Sequence, residues 1–397
     1  MKGRRLLLGI TGGIAAYKIA TLIRILKKEG AEVRCIMTPA SCDFISPLVV
    51  ATLSENPVGI EFWDKKSGQW TNHVEYGLWA ELFVVAPLTA TSMSKMAQGS
   101  CDNLVLATFL SMKCPVLAAP AMDLDMYAHP ATKRNLDQLR SDGVTIIPAE
   151  SGALASGLEG EGRMAEPETI ARHIRHYFSR FGRLVGRKVL LTAGPTFEAI
   201  DPVRFIGNHS SGKMGYALAE AFLNEGAEVV LVSGPTKLTL AHPELTIVHV
   251  QSALEMLSAV QTFWPKADFG IFAAAVADYR PAEVAQQKIK KSNDELELKL
   301  IKNPDILAWA GENKNNKILV GFALETNNAI ENAKAKLQRK NLDLIVLNTL
   351  EHEGAGFAHD TNRISIIERD NKITNFELKS KSETASDIVE HLIAFLK

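Results

Sequence analysis

No stretch of this 397-residue chain approaches the ~20 consecutive apolar residues that a membrane-spanning helix needs. The opening MKGRRLLLGITGG sets basic residues before an apolar run, yet glycines interrupt it at once and no cleavage-type segment follows. A soluble, cytoplasmic protein without a membrane partner is expected. Cysteine is scarce: Cys35, Cys42, Cys101 and Cys114 form no C-x-x-C pair, which favours reduced, packed thiols over disulfide or metal roles. Charge of either sign is not in excess. With 44 Lys and Arg against 45 Asp and Glu there is no general basic field for nucleic acid, so anions must be recognised by locally placed groups. The spaced G-x-G-x-x-G fingerprint is missing too, which argues against a nicotinamide oxidoreductase. No low-complexity linker occurs, so any domains are closely joined.

What is present is grammar repeated. Residues 5–11 form a β-branched and Leu-rich run, Gly12-Gly13 turns the chain into a helical pattern with apolar Ile14, Ile19, Leu22, Ile23 and Leu26, and Gly30 closes it before a strand at 32–38. The same order returns at 188–192, Ala193-Gly194, a helix around 216–224 and a strand to Val232, with a longer insertion between first strand and helix. In both copies G-A-E-V leaves the helix and opens the strand. Further apolar runs at 82–86, 115–119, 269–274, 318–322 and 344–347 supply strands for parallel sheets buried on both faces. An α/β chain of two doubly wound domains follows, since single cores seldom grow far beyond ~250 residues. The boundary falls near 183–187, giving domains 1–183 and 187–397. The lysine-rich run at 288–302, with Ser292-Asn293-Asp294 as a turn, predicts a hairpin or flap outside the sheet.

Backbone N–H groups freed by a glycine pair at a helix start can hold a phosphate, and T-G-G-I-A-A-Y-K at 11–18 offers that, with a bare tight turn as the equal alternative. Its company is M-T-P-A at 37–40, H-V-E-Y-G-L-W-A-E at 73–81, A-P-L-T-A-T-S-M-S-K-M-A-Q-G-S-C-D-N-L at 86–104 and P-A-M at 120–122. Together these resemble the homo-oligomeric flavin-containing cysteine decarboxylases, specifically the phosphopantothenoylcysteine decarboxylases, over residues 5–180. The resemblance implies a flavodoxin-like fold, FMN held by Gly12, Gly13, Thr38, Thr89, Ala90, Thr91, Ser92 and Met122, and a catalytic histidine at His73. Small hydroxyls suit phosphate oxygens, with helix capping as the alternative for any one of them. The implied chemistry oxidises the cysteine moiety to a thioaldehyde, loses CO₂ and returns the hydride, so FMN is regenerated. Two departures stand out. The family's P-x-M-N-x-x-M-W reads P-A-M-D-L-D-M-Y here, with Asp123 for asparagine and Met126 retained toward substrate. The family's flap cysteine is replaced by Ser156 in G-A-L-A-S-G-L-E-G. A serine hydroxyl is a far weaker acid than a thiol, so the intermediate is expected to be reduced slowly unless Asp123, kept protonated by burial, or a bound water supplies the proton in place of Ser156. A second reading keeps FMN but makes the first half an assembly domain that does not decarboxylate.

Residues 188–362 carry T-A-G-P-T-F-E-A-I-D-P-V-R-F-I-G-N-H-S-S-G-K-M-G-Y-A-L-A at 192–219, A-A-A-V-A-D-Y-R-P at 273–281, K-I-K-K at 288–291, N-P-D-I at 303–306, G-F-A-L-E-T at 321–326 and A-K-A-K-L-Q-R-K at 333–340. They resemble the phosphopantothenate–cysteine ligases, with a Rossmann-like fold. Read from the residues, 208–213 can reach an anion, Asp278 lies at the carboxyl end of a strand where open α/β sheets bind ligands, and Lys336 and Lys340 share a helical face that could serve one polyphosphate or be a plain surface stripe. The resemblance implies Asn208 at the activated acyl group, and a CTP site of Ala273, Ala274, Ala275, Asp278, Lys288, Asn303, Pro304, Asp305, Ile306, Phe322, Lys336 and Lys340. The implied reaction activates 4′-phosphopantothenate with CTP as an acyl cytidylate, and the cysteine amine then displaces CMP. Mg²⁺ is expected with CTP, its protein ligands unassigned. The resemblance also implies a homo-oligomer, trimeric through the decarboxylase and dimeric through the ligase, its decarboxylase site built where subunits meet.

Overall fold

The computed structural model describes residues 1–396 apart from 64–66, 69, 155, 291–295, 326–327 and 350–360. The expected turn at Ser292-Asn293-Asp294, with Lys291 and Thr326, lies outside the described residues. Two compact units divide the chain, Met1–Tyr177 and Phe178–Lys397. Residues 178–187 fold with the second unit. Leu184 N–H donates to the Glu225 carbonyl, and the Arg183 guanidinium pairs with both Glu225 and Glu390.

In the first unit, β1 (Arg5–Ile10) is followed by a 3-10 turn at Ile14–Lys18 and α1 (Ile19–Lys28), then β2 (Glu32–Met37), α2 (Pro47–Ser54), β3 (Val58–Gly59), α3 (His73–Trp79) and β4 (Leu82–Leu88). Next come α4 (Ala90–Ala97), α5 (Leu104–Leu110), β5 (Val116–Pro120), α6 (Leu124–Ala128), α7 (Pro130–Ser141), β6 (Thr145–Ile146), the hairpin β7 (Glu150–Ala153) and β8 (Glu159–Arg163), and α8 (Pro167–Ser179). The sheet runs β3-β2-β1-β4-β5-β6, all parallel. Every residue of β4 is buried, as a strand covered on both faces requires. Leu7, Phe83 and Val85 pack with Leu104 and Val105 on one face.

The second unit repeats that winding. It contains β9 (Lys188–Ala193), the hairpin β10 (Phe197–Ala199) and β11 (Phe205–Gly207), α9 (Lys213–Asn224), β12 (Glu228–Ser233), β13 (Leu245–His249), α10 (Ala253–Phe263), β14 (Phe269–Phe272), β15 (Tyr279–Pro281), β16 (Leu300–Lys302) and α11 (Ile306–Glu312). After these come β17 (Ile318–Glu325), α12 (Ala329–Arg339), β18 (Leu344–Thr349), β19 (Thr361–Asn362), β20 (Ile364–Glu368), β21 (Ile373–Asn375), β22 (Lys379–Ser380) and α13 (Lys381–Phe395). The order is β13-β12-β9-β14-β17-β18-β20-β21, parallel from β13 through β18. Here the all-parallel expectation needs correction, because β20 and β21 are antiparallel. Asn371, at φ 67°, closes a tight turn between those two strands, so the chain reverses with no crossover helix. Alternate strand residues serve opposite faces: Leu191, Ile271 and Val320 pack with Ile388 and Leu392 of α13, whereas Leu190 and Leu319 pack with Met256 and Val260 of α10. The run after Asp278 does leave the sheet, as β15 and β16 pair only with each other. Among the described residues no helix is long and apolar enough to cross a membrane.

Candidate active sites

Each unit carries a cavity where its strand order reverses, between the carboxyl ends of β1 and β4 in the first and of β9 and β14 in the second. The first is large, about 870 Å³. Gly12, Gly13, Thr38, Thr89, Ala90, Thr91, Ser92, Met122, Asp123 and Met126 all line it, so ten of the residues singled out in the first half come together there. A side chain at Gly12 would press within 2.8–3.0 Å of Ala40, and one at Gly13 within 2.9 Å of the Thr89 methyl, so the two loops can approach only as glycine permits. The α4 N-terminus opens into the cavity from Thr89, which makes no side-chain cap. Instead Thr89 takes part in a hydroxyl chain: Thr11 Oγ1 donates to the Pro87 carbonyl at 2.6 Å, and Thr11 accepts the Thr89 N–H at 3.1 Å. Thr38, only 6% exposed, is left with a buried hydroxyl that has no partner. An orphaned donor, paired glycines and an uncapped helix start fit a phosphorylated flavin, and the volume suits a cofactor with substrate beside it.

The β7–β8 hairpin forms one wall. Ala153, Leu154, Gly162 and Arg163 face the cavity, and Met122 N–H donates to the Gly162 carbonyl at 3.0 Å, stitching the hairpin to the segment before Asp123. A Cβ at Gly162 would strike the Met122 carbonyl at 2.6 Å. At its base, buried Lys18 donates to the Met164 carbonyl at 3.2 Å and pairs with Glu166 at 2.9 Å, and Glu166 also pairs with Arg163. The Lys18 ammonium, countering a smaller effect of burial, together with Arg163 holds the Glu166 carboxyl below the usual carboxylate range. Asp123 precedes α6 with no cap bond and is half-buried, so within one chain the burial expected of it is incomplete. Ser156 sits exposed at the hairpin tip, its hydroxyl 3.5 Å from the Leu158 N–H, and does not line the cavity.

His73 does not line it either. It belongs to no loop: Asn72 caps α3 by accepting the Val74 and Glu75 N–H groups, and His73 is the first helical residue. Its ring stands edge-on to Phe62 and Trp70, with centroids 6.3 and 6.0 Å away, and its Nδ1 is buried without a partner.

In the second unit the cavity is smaller, about 170 Å³. Ala273, Ala274, Ala275 and Phe322 line it, and Asn208 Nδ2 donates to the Ala275 carbonyl at 3.0 Å. The other predicted residues lie off it. Asn303 is committed to the protein, donating to the Ala277 carbonyl at 2.8 Å and accepting from Arg280 at 3.0 Å; it thereby ties the loop of Asp278 to Pro304. Lys336 and Lys340 do not aim jointly into open space. Lys336 donates to the Phe322 carbonyl at 2.8 Å, and Lys340 pairs with Asp305, which also caps Ile306 and α11 through the Ala308 N–H. Burial pushes the Asp305 carboxyl up, but Lys340, the Ala308 N–H and nearby Lys336 outweigh it and hold it low. Lys288 precedes Ile289, whose backbone is gripped by Asp201 and Arg204. Among the described residues no group of three or more His, Cys, Asp or Glu side chains could hold a metal ion.

Sequence reasoning missed Lys18, Arg163 and Glu166 in the first unit. It passed over Asp201, Arg204, Asn348, Asn362 and Lys381 in the second. Asp201 with Arg204 and Arg163 with Glu166 left a local signal, each an opposite-charge pair three residues apart.

Two doubly wound units, one with a flavin-sized cavity and one with a smaller cleft, make this a two-domain α/β enzyme with a flavoprotein domain first. Residues 1–179 match the Flavoprotein family, and 184–396 match the DNA/pantothenate metabolism flavoprotein C-terminal domain. A cysteine/cysteine sulfinic acid decarboxylase from an unknown prokaryotic organism is 50% identical over 357 residues, 89% of this chain and 99% of its own. The coenzyme A biosynthesis bifunctional protein CoaBC of Haemophilus influenzae is 44% identical over 394 residues, 99% of this chain and 98% of its own. That of Bacillus subtilis is 42% identical over 399 residues, covering 100% and 98%. The chain belongs to the CoaBC family of bifunctional coenzyme A biosynthesis enzymes, with a flavoprotein decarboxylase domain followed by a ligase domain.

Proposed function

We propose that the first domain, 1–183, uses FMN to decarboxylate 4′-phosphopantothenoylcysteine to 4′-phosphopantetheine, and that the second, 187–397, uses CTP with Mg²⁺ to join cysteine to 4′-phosphopantothenate. The observation that carries the flavin half is the unpaired Thr38 hydroxyl beside Gly12 and Gly13 in the large cavity. FMN, when bound, supplies a reversible acceptor for two electrons. Thr38, the glycine turn and the 89–92 segment bind its phosphate, and Met122 and Met126 wall the cavity. With Nδ1 of His73 buried, Nε2 is the ring nitrogen that exchanges a proton with the substrate thiol. Ser156, carried by the hairpin, is the candidate donor for the later protonation. Homo-oligomeric assembly, trimeric through the first domain and dimeric through the second, supplies His73 to a neighbouring cavity; the protein acts in the cytoplasm.

In the second domain, Asn208 stabilises the activated acyl oxygen, and Asp278, Lys288, Asn303–Ile306 as a segment, Phe322, Lys336 and Lys340 hold the nucleotide beside the 273–275 loop. Mg²⁺ arrives with the phosphate oxygens of CTP. Incubation with 4′-phosphopantothenate, cysteine, CTP and Mg²⁺, followed by mass analysis, tests both halves. The ligated product without loss of CO₂ would favour the assembly-domain reading; no ligated product would sink the ligase assignment.

Asp123 favours a second reading for the first domain. Free cysteine and its sulfinic acid carry an α-ammonium that a carboxylate can pair with, whereas in phosphopantothenoylcysteine that nitrogen is an uncharged amide. The relative at 50% identity bears the corresponding name. Competing the two substrate types in one assay decides it: preference for the free amino acid, lost in Asp123→Asn, supports this reading.

A further inference from the structure

His73 is anchored through its backbone but not through its imidazole. Asn72 caps α3 and fixes the main chain at 73, yet the ring still turns about two side-chain torsions. A histidine that moves protons is ordinarily held by a carbonyl or carboxylate on the ring nitrogen it does not use. Here that nitrogen is Nδ1, which is buried with no hydrogen-bond partner. Two aromatic rings stand where an acceptor would. Phe62 and Trp70 meet the imidazole nearly at right angles, at 88° and 81°, with centroids 6.3 and 6.0 Å away, the T-shaped arrangement that aromatic pairs favour.

The two rings are not equivalent. Phe62 also packs against the core formed by β4 and α5, so the fold accounts for it. Trp70 is no part of that core and is 58% exposed, so burial does not account for an indole there. Its backbone is nonetheless held in register. Trp63 and Trp70 pair as an isolated antiparallel bridge, and the next N–H, that of Thr71, donates to the Phe62 carbonyl at 2.7 Å. Both rings therefore reach the histidine from the two ends of one closed loop, which is a separate element from α3.

We infer that Trp70 is a positioning residue for the decarboxylase half: with Phe62 it forms a slot that fixes the plane of the His73 imidazole, keeps water from Nδ1 and leaves Nε2 as the nitrogen presented to the substrate thiol. This role rests on the reading of His73 as the proton carrier given above and adds what orients its ring. The hold is one of shape rather than of hydrogen bonding, so another flat aromatic ring can take the place of the indole and a small side chain cannot.

Two measurements on the full-length chain test this. Carbethoxylation of His73 by diethyl pyrocarbonate, followed by peptide mass mapping, reports access to the ring without requiring turnover. Stopped-flow flavin reduction against the concentration of 4′-phosphopantothenoylcysteine, and of free cysteine, separates the limiting rate from substrate affinity. Trp70→Ala is expected to raise the carbethoxylation rate of His73 severalfold and to lower the limiting reduction rate about tenfold, with the apparent substrate Kd within about twofold of wild type. Trp70→Phe should return both readings toward wild type, and if Trp70→Ala fails to fold, Trp70→Phe against Trp70→Leu makes the same comparison. Weaker substrate affinity at an unchanged limiting rate overturns the inference in favour of an indole that walls the substrate. Unchanged carbethoxylation and reduction in a folded variant overturn it in favour of an idle surface ring. Normal flavin reduction by His73→Asn refutes the proton-carrier reading instead, and the carbethoxylation rates then still decide whether Trp70 holds the ring.

Discussion

The Asp201 carboxylate accepts the Ile289 backbone N–H at 3.1 Å, while Arg204, clamped on the same carboxylate, donates to the Ile289 carbonyl at 2.9 Å. One residue is thus held by both its backbone groups, and Lys288 is its neighbour. Asp201→Asn keeps the shape but releases Arg204, so the KM for CTP should rise ~5-fold with a smaller change in kcat. Arg204, then the backbone N–H groups, depress the Asp201 pKa well below the usual carboxylate range. A depressed folded value means the clamp is complete above the ordinary carboxylate range and lost only as pH falls through the lower value. The wild-type KM for CTP should therefore show no inflection from this group at pH 5–9, and one there would refute the clamp.

Thr38→Val separates binding from stability. The hydroxyl has no partner in the protein, so its removal should not lower the melting temperature of the flavin-free chain, and relieving an unpaired buried group can raise it. The same change should weaken FMN by ~5–10-fold, followed by flavin fluorescence. A large loss of stability with unchanged FMN binding would mean the hydroxyl serves the fold.

Ser156→Cys should speed the second half-reaction. A thiol with a reference pKa of ~8.5 is a far stronger acid than a serine hydroxyl. Stopped-flow spectra should show faster flavin reoxidation with reduction unaffected, whereas His73→Asn should abolish reduction by substrate. Reoxidation unchanged by the cysteine removes Ser156 from the donor role.

Lys18→Met tests the base of the hairpin. Glu166 keeps Arg163 but loses its buried cation, and since the carboxylate is about a third exposed the expected cost is about 1–2 kcal/mol rather than that of a fully buried pair. Because the Glu166 pKa is lowered, this stabilisation is present above the ordinary carboxylate value and lost as pH falls through the folded one. Denaturant midpoints of wild type and variant should differ at pH 7 and converge toward pH 3.

The strands were legible because a strand covered on both faces reads as an unbroken apolar run, as in 82–86 and 344–347. The flavin wall was legible for a related reason: Gly12 and Thr89 each lie just past the end of a strand, and neighbouring parallel strands bring their ends together. What stayed hidden depends on contacts with no sequence spacing. Lys18 meets Glu166 across 148 positions, and Asn362 meets Met214 across the same interval, only because each unit folds distant segments together. Lys336 and Lys340 illustrate a different failure. Helical spacing gave their common face, but the nearby carboxylate of Asp305 sits on an element that spacing cannot place.

The position of His73, on its own aromatic ledge and off its own chain's cavity, has a genetic consequence. If a site draws its cavity from one copy and its histidine from the next, then a chain carrying His73→Asn and a chain carrying Thr38→Arg are each inactive alone but defective in different halves. Co-expressed, they should assemble sites pairing an intact cavity with an intact histidine, and intragenic complementation should return a fraction of the decarboxylase activity.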